Sequence, residues 1–211
     1  MDENLRTFLQ HHSNIKYSLF LKKLKQSIYT PIAQLNVFVH KSTEPICFDD
    51  IKNERFDNIK IGDSWGGFFD CAWFKFTANI ENMQKNLVAV IDVGGEGCIY
   101  NKNGVVIQGI TNVLGMVDNF QTVKGKAIIP LDRIDTFNDG KVLFYADCGN
   151  NGKGGKSSGQ ARFKRADICV FRQDILDLYY DILACYQLLS AVNDNARKRE
   201  IKAYINKAIS L

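Results

Sequence analysis

Apolar and polar positions along this chain change period twice. Leu5, Phe8 and Leu9 share one helical face near the start. After His11, His12, Ser13 and Asn14 a second stripe follows at Tyr17, Phe20, Leu21, Leu24 and Ile28. That is the i, i+3, i+4 spacing of a helix packed on a core. Lys22, Lys23 and Lys25 fall mostly off the stripe, and Thr30-Pro31 is the expected end of the helix. From Ile32 to Phe171 the pattern becomes one of short β-prone runs between turn residues. The runs are Leu35–His40, Cys71–Ile80, Leu87–Val93, Gly97–Tyr100, Val105–Ile110, Lys126–Leu131, Lys141–Cys148 and Ala166–Phe171. Aromatic and apolar stretches such as Trp73 to Thr77 and Val142 to Ala146 suit strands buried on one or both faces. No amphipathic stretch of helical length separates them, which predicts a sandwich or jelly roll and not a parallel α/β sheet. Helical spacing returns at Ile175, Leu178, Tyr179, Ile182, Leu183, Tyr186 and Leu189. It breaks at Asn193-Asp194-Asn195, whose side chains suit an N-cap, and resumes at Ile201, Tyr204, Ile205, Ala208 and Ile209. The apolar stripe is still running at Leu211, the pattern expected of a chain cut from something longer.

Composition narrows the class. A length of 211 residues is enough for one sizeable domain with appendages, and 45% apolar with 24% charged residues is an ordinary globular balance. A net charge of +4 is too small at this length to argue for nucleic acid. The six cysteines, Cys47, Cys71, Cys98, Cys148, Cys169 and Cys185, include no Cys-x-x-Cys pair, which disfavours a zinc ribbon. The charged N-terminus MDENLRTFLQHH lacks the apolar centre of a signal peptide. Buried free thiols in a reducing cytoplasm are therefore the expectation. No apolar run approaches the ~20 residues of a membrane span, so no membrane partner is expected.

The segment IDVGGEGCIYNKNGVVIQGI, Ile91 to Ile110, carries the strongest local signal. Gly94, Gly95 and Gly97 surround one acid, Glu96, and Asn103-Gly104 is a hairpin turn. It reads as a β-hairpin presenting a loop for recognition or docking. Trp65 and Phe68 flank Gly66-Gly67, where a turn can expose them as a sugar platform or an interdomain contact, whereas Trp73 to Phe76 belong to a core or sheet face. The loop GNNGKGGKSSGQ contains Gly155-Lys156-Ser157, but Asn150 stands where a phosphate loop needs its first glycine, and a strand run follows in place of a helix. A surface loop is the better reading. Lys153, Lys156, Arg162, Lys164 and Arg165 form a basic run with one aromatic, Phe163, which favours a solvated rim over polyanion binding. His11 and His12 point about 100° apart on a helix, and His40 has no ligand nearby in sequence, so no metal site is expected. Asp63, Asp70, Asp92 and Glu96 could supply paired carboxylates in principle, but turn and bridging roles are favoured.

GDSWGGFFDCAWFKFTANI, followed by IDVGGEGCIYNKNGVVIQGI, resembles the N-terminal region of cytosolic-type α-mannosidases of glycoside hydrolase family 38. DILDLYYDILACYQLLSAVNDNARKREIKAYINKAISL, with Leu178 to Asp181 reading Leu-Tyr-Tyr-Asp, is similar to the helical stretch that leads from that region to the catalytic domain. The resemblance covers the chain from about Gly62 onward, and the first sixty residues match only in length and helical character. It implies a retaining α-mannosidase with a divalent metal, usually zinc, in a separate α/β catalytic domain. The His-x-Asp-x-x-Trp metal motif of that domain cannot be placed here: His11 leads to Ser13, His12 to Asn14 and His40 to Ser42. No catalytic residue and no cofactor are carried over to this chain.

The resulting expectation is a mainly β chain. Residues 1–31 are an N-terminal helical arm, 32–172 a jelly-roll-like (galactose-binding-like) β-sandwich, and 173–211 a helical linker leading to an absent catalytic domain. Its implied partners are that catalytic domain, a second copy of the chain and a mannoside. Contact residues for sugar or catalytic domain are expected at Trp65, Phe68, Gly94, Gly95, Glu96 and Gly97. The competing expectation is a free-standing carbohydrate-binding module.

Overall fold

The computed structural model describes residues 3–81, 84–111, 127–134, 139–151 and 159–210, with side chains from Asn14 onward. The chain forms two compact units: Pro31–Phe171 is one, and Met1–Thr30 with Arg172–Leu211 is the other. The two terminal segments, expected as an arm and a linker, thus belong to the same unit.

In the helical unit α1 (Glu3–Ser27) is continuous through the His11 to Asn14 stretch. It ends before Thr30-Pro31, and Pro31 lies in a strand. α3 (Gln173–Ala191) packs against α1 and against α4 (Asn195–Ile209). Tyr17 meets Tyr186 edge-on at 6.0 Å between ring centroids, and Lys16 Nζ donates to Asn206 Oδ1 at 3.1 Å. The N-cap expected near Asn193 to Asn195 is Asp194, whose carboxylate accepts from Ala196 N at 2.7 Å. No helix among the described residues is long and apolar enough to cross a membrane.

The β unit is built from β1 (Tyr29–Gln34), β2 (Asn36–Ser42), β3 (Asp57–Asn58), β4 (Ser64–Gly66), β5 (Cys71–Asn79), β6 (Leu87–Asp92), β7 (Glu96–Tyr100), β8 (Val106–Thr111), β9 (Ile128–Pro130), β10 (Lys141–Gly149), β11 (Ala161–Arg162) and β12 (Arg165–Phe171). Among the described residues they form a six-stranded sheet in the order β3-β2-β5-β10-β7-β8 and a four-stranded sheet in the order β1-β12-β6-β9. A two-stranded ladder joins β11 and β4. Pro31 and Pro130 sit on the outer strands of the four-stranded sheet, the positions where a missing N–H breaks no ladder. This is the jelly-roll-like sandwich expected from the alternation of short strands.

Alternation puts Phe74, Phe76, Phe144, Ala146 and Ile99 of the six-stranded sheet, and Ala89, Ile91, Ile129 and Ile168 of the four-stranded sheet, into one core. Phe76 and Phe144 are directly opposite across β5 and β10 and stack at 4.7 Å. A second cluster covers the outer face of the six-stranded sheet. There the 43–56 segment, with its short helix α2 (Phe48–Ile51), lays Ile51 and Phe48 over Trp73, Tyr145 and Tyr100. Trp73 Nε1 donates to Ile46 O at 2.9 Å, fixing the segment in place. Gly104 has φ +81 and a Cβ there would enter the Phe48 ring, so the Asn103-Gly104 turn needs glycine twice over.

Phe144 is fully buried within this stack. Phe144→Ala is expected to destabilise the chain by about 3–5 kcal/mol in urea or guanidinium denaturation. A loss under about 1 kcal/mol shows that the two sheets close over the gap.

Candidate functional site

The expected contact residues gather at one end of the β unit, but in roles that differ from the sequence reading. β6 and β7 lie in different sheets, so Gly94-Gly95 is not the tip of a hairpin. It is the place where the chain passes from one sheet to the other. Gly94 has φ +81, and a Cβ on it would collide with the carbonyl oxygen of Arg162. A Cβ on Gly95 would sit 2.7 Å from Gly149 O and 3.0 Å from the Trp65 ring, and one on Gly97 would collide with Asp147 O. These glycines are needed for close backbone approach inside the domain. The hairpin proper is β7–β8, closed by Gly104 N donating to Asn101 O at 3.1 Å and Asn101 N to Val105 O at 2.9 Å.

Trp65 also turns inward. It is 2% exposed, packs edge-on against Phe74 at 5.6 Å, and its Nε1 donates to Val93 O. It therefore offers no face to a sugar or to another domain, which corrects that expectation. Phe68 is half-buried. The outward aromatic is its neighbour Phe69, 63% exposed, its ring tilted 35° against that of Phe68 with centroids 3.9 Å apart. Phe69 has φ +68, a left-handed conformation that is uncommon for a bulky residue and costs about 1–2 kcal/mol.

Hydrogen bonds from both sides hold the Phe69 backbone. Phe69 N donates to Asn150 O at 2.9 Å and Asn150 N donates to Asp70 O at 3.0 Å. Asp70 Oδ2 accepts from Gly67 N at 2.7 Å. The Asn150 amide, 2% exposed, donates to Gly67 O at 2.8 Å and Gly159 O at 3.0 Å. The residue that lacked a glycine for phosphate binding is thus a buried clamp for an aromatic rim. Gly155, Lys156 and Ser157 lie outside the described residues.

Each candidate carboxylate has a local partner. Asp63 accepts from Lys60 N at 2.9 Å, Asp92 from Gly94 N at 3.0 Å, and Glu96 from Asn151 Nδ2 at 2.9 Å. Of the basic run, Arg162 donates to Gly62 O at 2.8 Å and Arg165 pairs with Asp167, while Lys153 and Lys156 lie outside the described residues. Among the described residues no group of three or more His, Cys, Asp and Glu side chains could hold a metal. The side chains of His11 and His12 are outside those described, and His40 Nδ1 faces Arg55 O at 3.0 Å.

All six cysteines are free. Cys148 and Cys169 are buried, Cys71, Cys98 and Cys185 are half-buried, and Cys47 is exposed with its thiol donating to Asp50 Oδ2 at 2.9 Å. Burial pushes the Cys148 thiol well above its ordinary range and Cys169 up to about 11, which keeps both protonated and poor nucleophiles at neutral pH. On the outer sheet face, Asp147 lies in register between Trp73 and Cys98. Burial raises its carboxyl above the usual carboxylate range.

Residues 30–170 match the family model described as "Alpha-mannosidase, jelly roll domain". Comparison with curated proteins gives no match.

Gly97→Ala is expected to destabilise the chain by more than about 2 kcal/mol, because β7 must move away from the Asp147 carbonyl. Glu96→Ala, which loses one exposed hydrogen bond, is expected to stay within about 0.5 kcal/mol; paired denaturation curves check both. Asp147 behaves differently with pH. Its folded pKa is raised, so its destabilising effect is absent below the ordinary carboxylate pKa of about 3.9 and grows as pH rises through the folded value. Asp147→Asn should therefore raise the thermal midpoint at pH 7 and leave it unchanged near pH 3. An equal gain at both values points to packing in place of charge.

Proposed function

The chain belongs to the α-mannosidase jelly-roll domain family, and from that premise we propose that it is the accessory N-terminal domain of an α-mannosidase of glycoside hydrolase family 38, a cytoplasmic enzyme of carbohydrate metabolism. In this reading catalysis belongs to a separate domain of the same polypeptide, and so does the zinc that such an enzyme uses. The described residues here do not fit that metal, having no cluster of three or more candidate ligand side chains. The role of the jelly roll is to dock on the catalytic domain, to shape the rim of its mannoside site and to support assembly of a homo-oligomer.

The observation that carries this reading is the Phe69 rim. A bulky residue in a left-handed conformation, 63% exposed, is doubly unfavourable for an isolated domain. It is nevertheless held there by the buried Asn150 clamp. An aromatic fixed in position before binding loses little entropy on docking, and exposed aromatic anchors of this kind dominate the energetics of protein interfaces. The carboxylates near the rim are occupied in turns, which supports a contact surface over a hydrolytic pair.

Two outcomes test the reading. The 211-residue chain, supplied with zinc, is expected to show no turnover of a chromogenic α-mannoside; turnover above contamination overturns the accessory assignment. Phe69→Ala is expected to weaken binding to the separately produced catalytic domain at least about tenfold, with the melting temperature of the chain itself unchanged. Undiminished affinity removes Phe69 as the anchor.

A further inference from the structure

A second feature of the β unit lies apart from the Phe69 rim. The chain passes from β1 to β2 at Leu35, whose N donates to Ala166 O at 3.0 Å, while Ile59 N donates to Val37 O at 3.2 Å. Between these two anchor points a cleft of about 410 Å³ opens. That lies within the ~300–1,000 Å³ of small-molecule sites, toward the small end. Ile59 and Phe163, both buried, form part of its floor, and Gln34, Asn36, Asn58 and Lys60 stand at its edge. None of these four side chains makes a hydrogen bond or ion pair among the described residues.

We propose that this cleft is a binding site for a neutral hexopyranoside. The argument is chemical. Three carboxamides each bring an acceptor oxygen and two N–H donors, and a sugar ring needs both kinds of partner for its neighbouring hydroxyls. Lys60 adds donors only, and it is the single charged group in the lining. One exposed ammonium falls short of the paired guanidiniums or several amides that usually cradle a phosphate, and it can donate equally to a hydroxyl or ring oxygen. No carboxylate lines the cleft, which argues against a metal ion. No aromatic face is exposed within it to stack a base, since Phe163 is 3% exposed. Ile61, 59% exposed, is the apolar lining side chain that can meet the C–H face of a pyranose. Gln34, Asn36 and Asn58 are exposed and make no side-chain hydrogen bond among the described residues, so all three amides are available to a ligand. The choice of a mannoside as the first sugar rests on the mannosidase reading above; the polyhydroxyl chemistry of the cleft does not.

The test is a nitrogen-15 amide titration of the whole 211-residue chain with methyl α-mannoside, with methyl α-glucoside, methyl α-galactoside and inorganic phosphate in parallel. Saturable shifts confined to residues 34–37, 58–61 and 163–166 are expected, with a Kd on the order of 1 mM for a single sugar unit held by a few hydrogen bonds. The double variant Asn36→Ala with Asn58→Ala should raise that Kd at least tenfold while amides remote from the cleft keep their positions. Phe69→Ala should leave the titration unchanged, which separates failure of the cleft from failure of the docking surface. Binding of the glucoside or galactoside in place of the mannoside upholds the cleft and overturns the mannoside choice. Shifts with phosphate alone, or no saturable shift with any hexoside, overturn the proposal.

Discussion

Where the chain leaves one sheet for the other, at Val93, a backbone carbonyl drops out of both ladders inside the protein. A buried carbonyl without a donor costs about 1–3 kcal/mol, so something must reach it. Trp65 does so with its indole N–H, while its ring fills the space against Phe74 and over Gly95. The rest of the end of the sandwich is arranged around that side chain. β4 carries Trp65 and is held by β11 through the pairing of Gly66 with Ala161 and Ser64 with Arg162. Gly94 and Gly95 lack side chains because Arg162, Gly149 and Trp65 occupy the volume a Cβ would need. Replacing the indole by any aliphatic residue removes the donor and the filler together.

That inward commitment decides what faces outward. With Trp65 buried, the turn after β4 rises over Gly67 and is bent by the left-handed Phe69 before entering β5. Two peptide hydrogen bonds to Asn150 join the turn to the end of β10. The exposed ring is therefore mounted on the same strand framework as the core, and its position is set by the sandwich and not by its own preferences. The outer face of the six-stranded sheet shows a related division. Phe48 and Ile51 cover Trp73 and Tyr145, whereas Asp147, directly opposite Trp73 in the register, keeps a half-buried carboxylate.

Eight of the strands were legible from alternation and β-branched content, because a strand that buries one face repeatedly writes that face into its sequence. β1, which follows at once on the helical stripe, and β3, β4 and β11, of two or three residues each, were not; Ser64 to Gly66 becomes a strand only by meeting residues nearly a hundred positions later. The glycine-rich turn was legible as special but not as internal. Sequence reports that a side chain is missing, and only the fold says whether the space belongs to solvent or to a neighbouring carbonyl. The same limit governed the aromatics. Trp65 and Phe69 are four residues apart, a spacing that strict alternation would put on one face, and the turn with its positive φ at Phe69 breaks that period and sends one ring inward and the other outward. The cleft at Leu35 was invisible because its polar edge comes from β1, β2 and the β3 region, none of which carries a local motif.

Arg172 N donates to Ile28 O at 2.9 Å, so the chain leaves the sandwich beside the point where it entered. During synthesis this separates two partners in time. α1 emerges from the ribosome first, while α3, against which it packs, follows only after the whole of Pro31–Phe171 has been made. At ribosomal speeds that interval is on the order of ten seconds, far longer than the microseconds a helix needs to form. Throughout it the stripe of Tyr17, Leu21, Leu24 and Ile28, fully or nearly fully buried in the finished chain, has no α3 to cover it. For that interval the apolar stripe of α1 is open to chaperones and to aggregation, and completion of α3 ends that window.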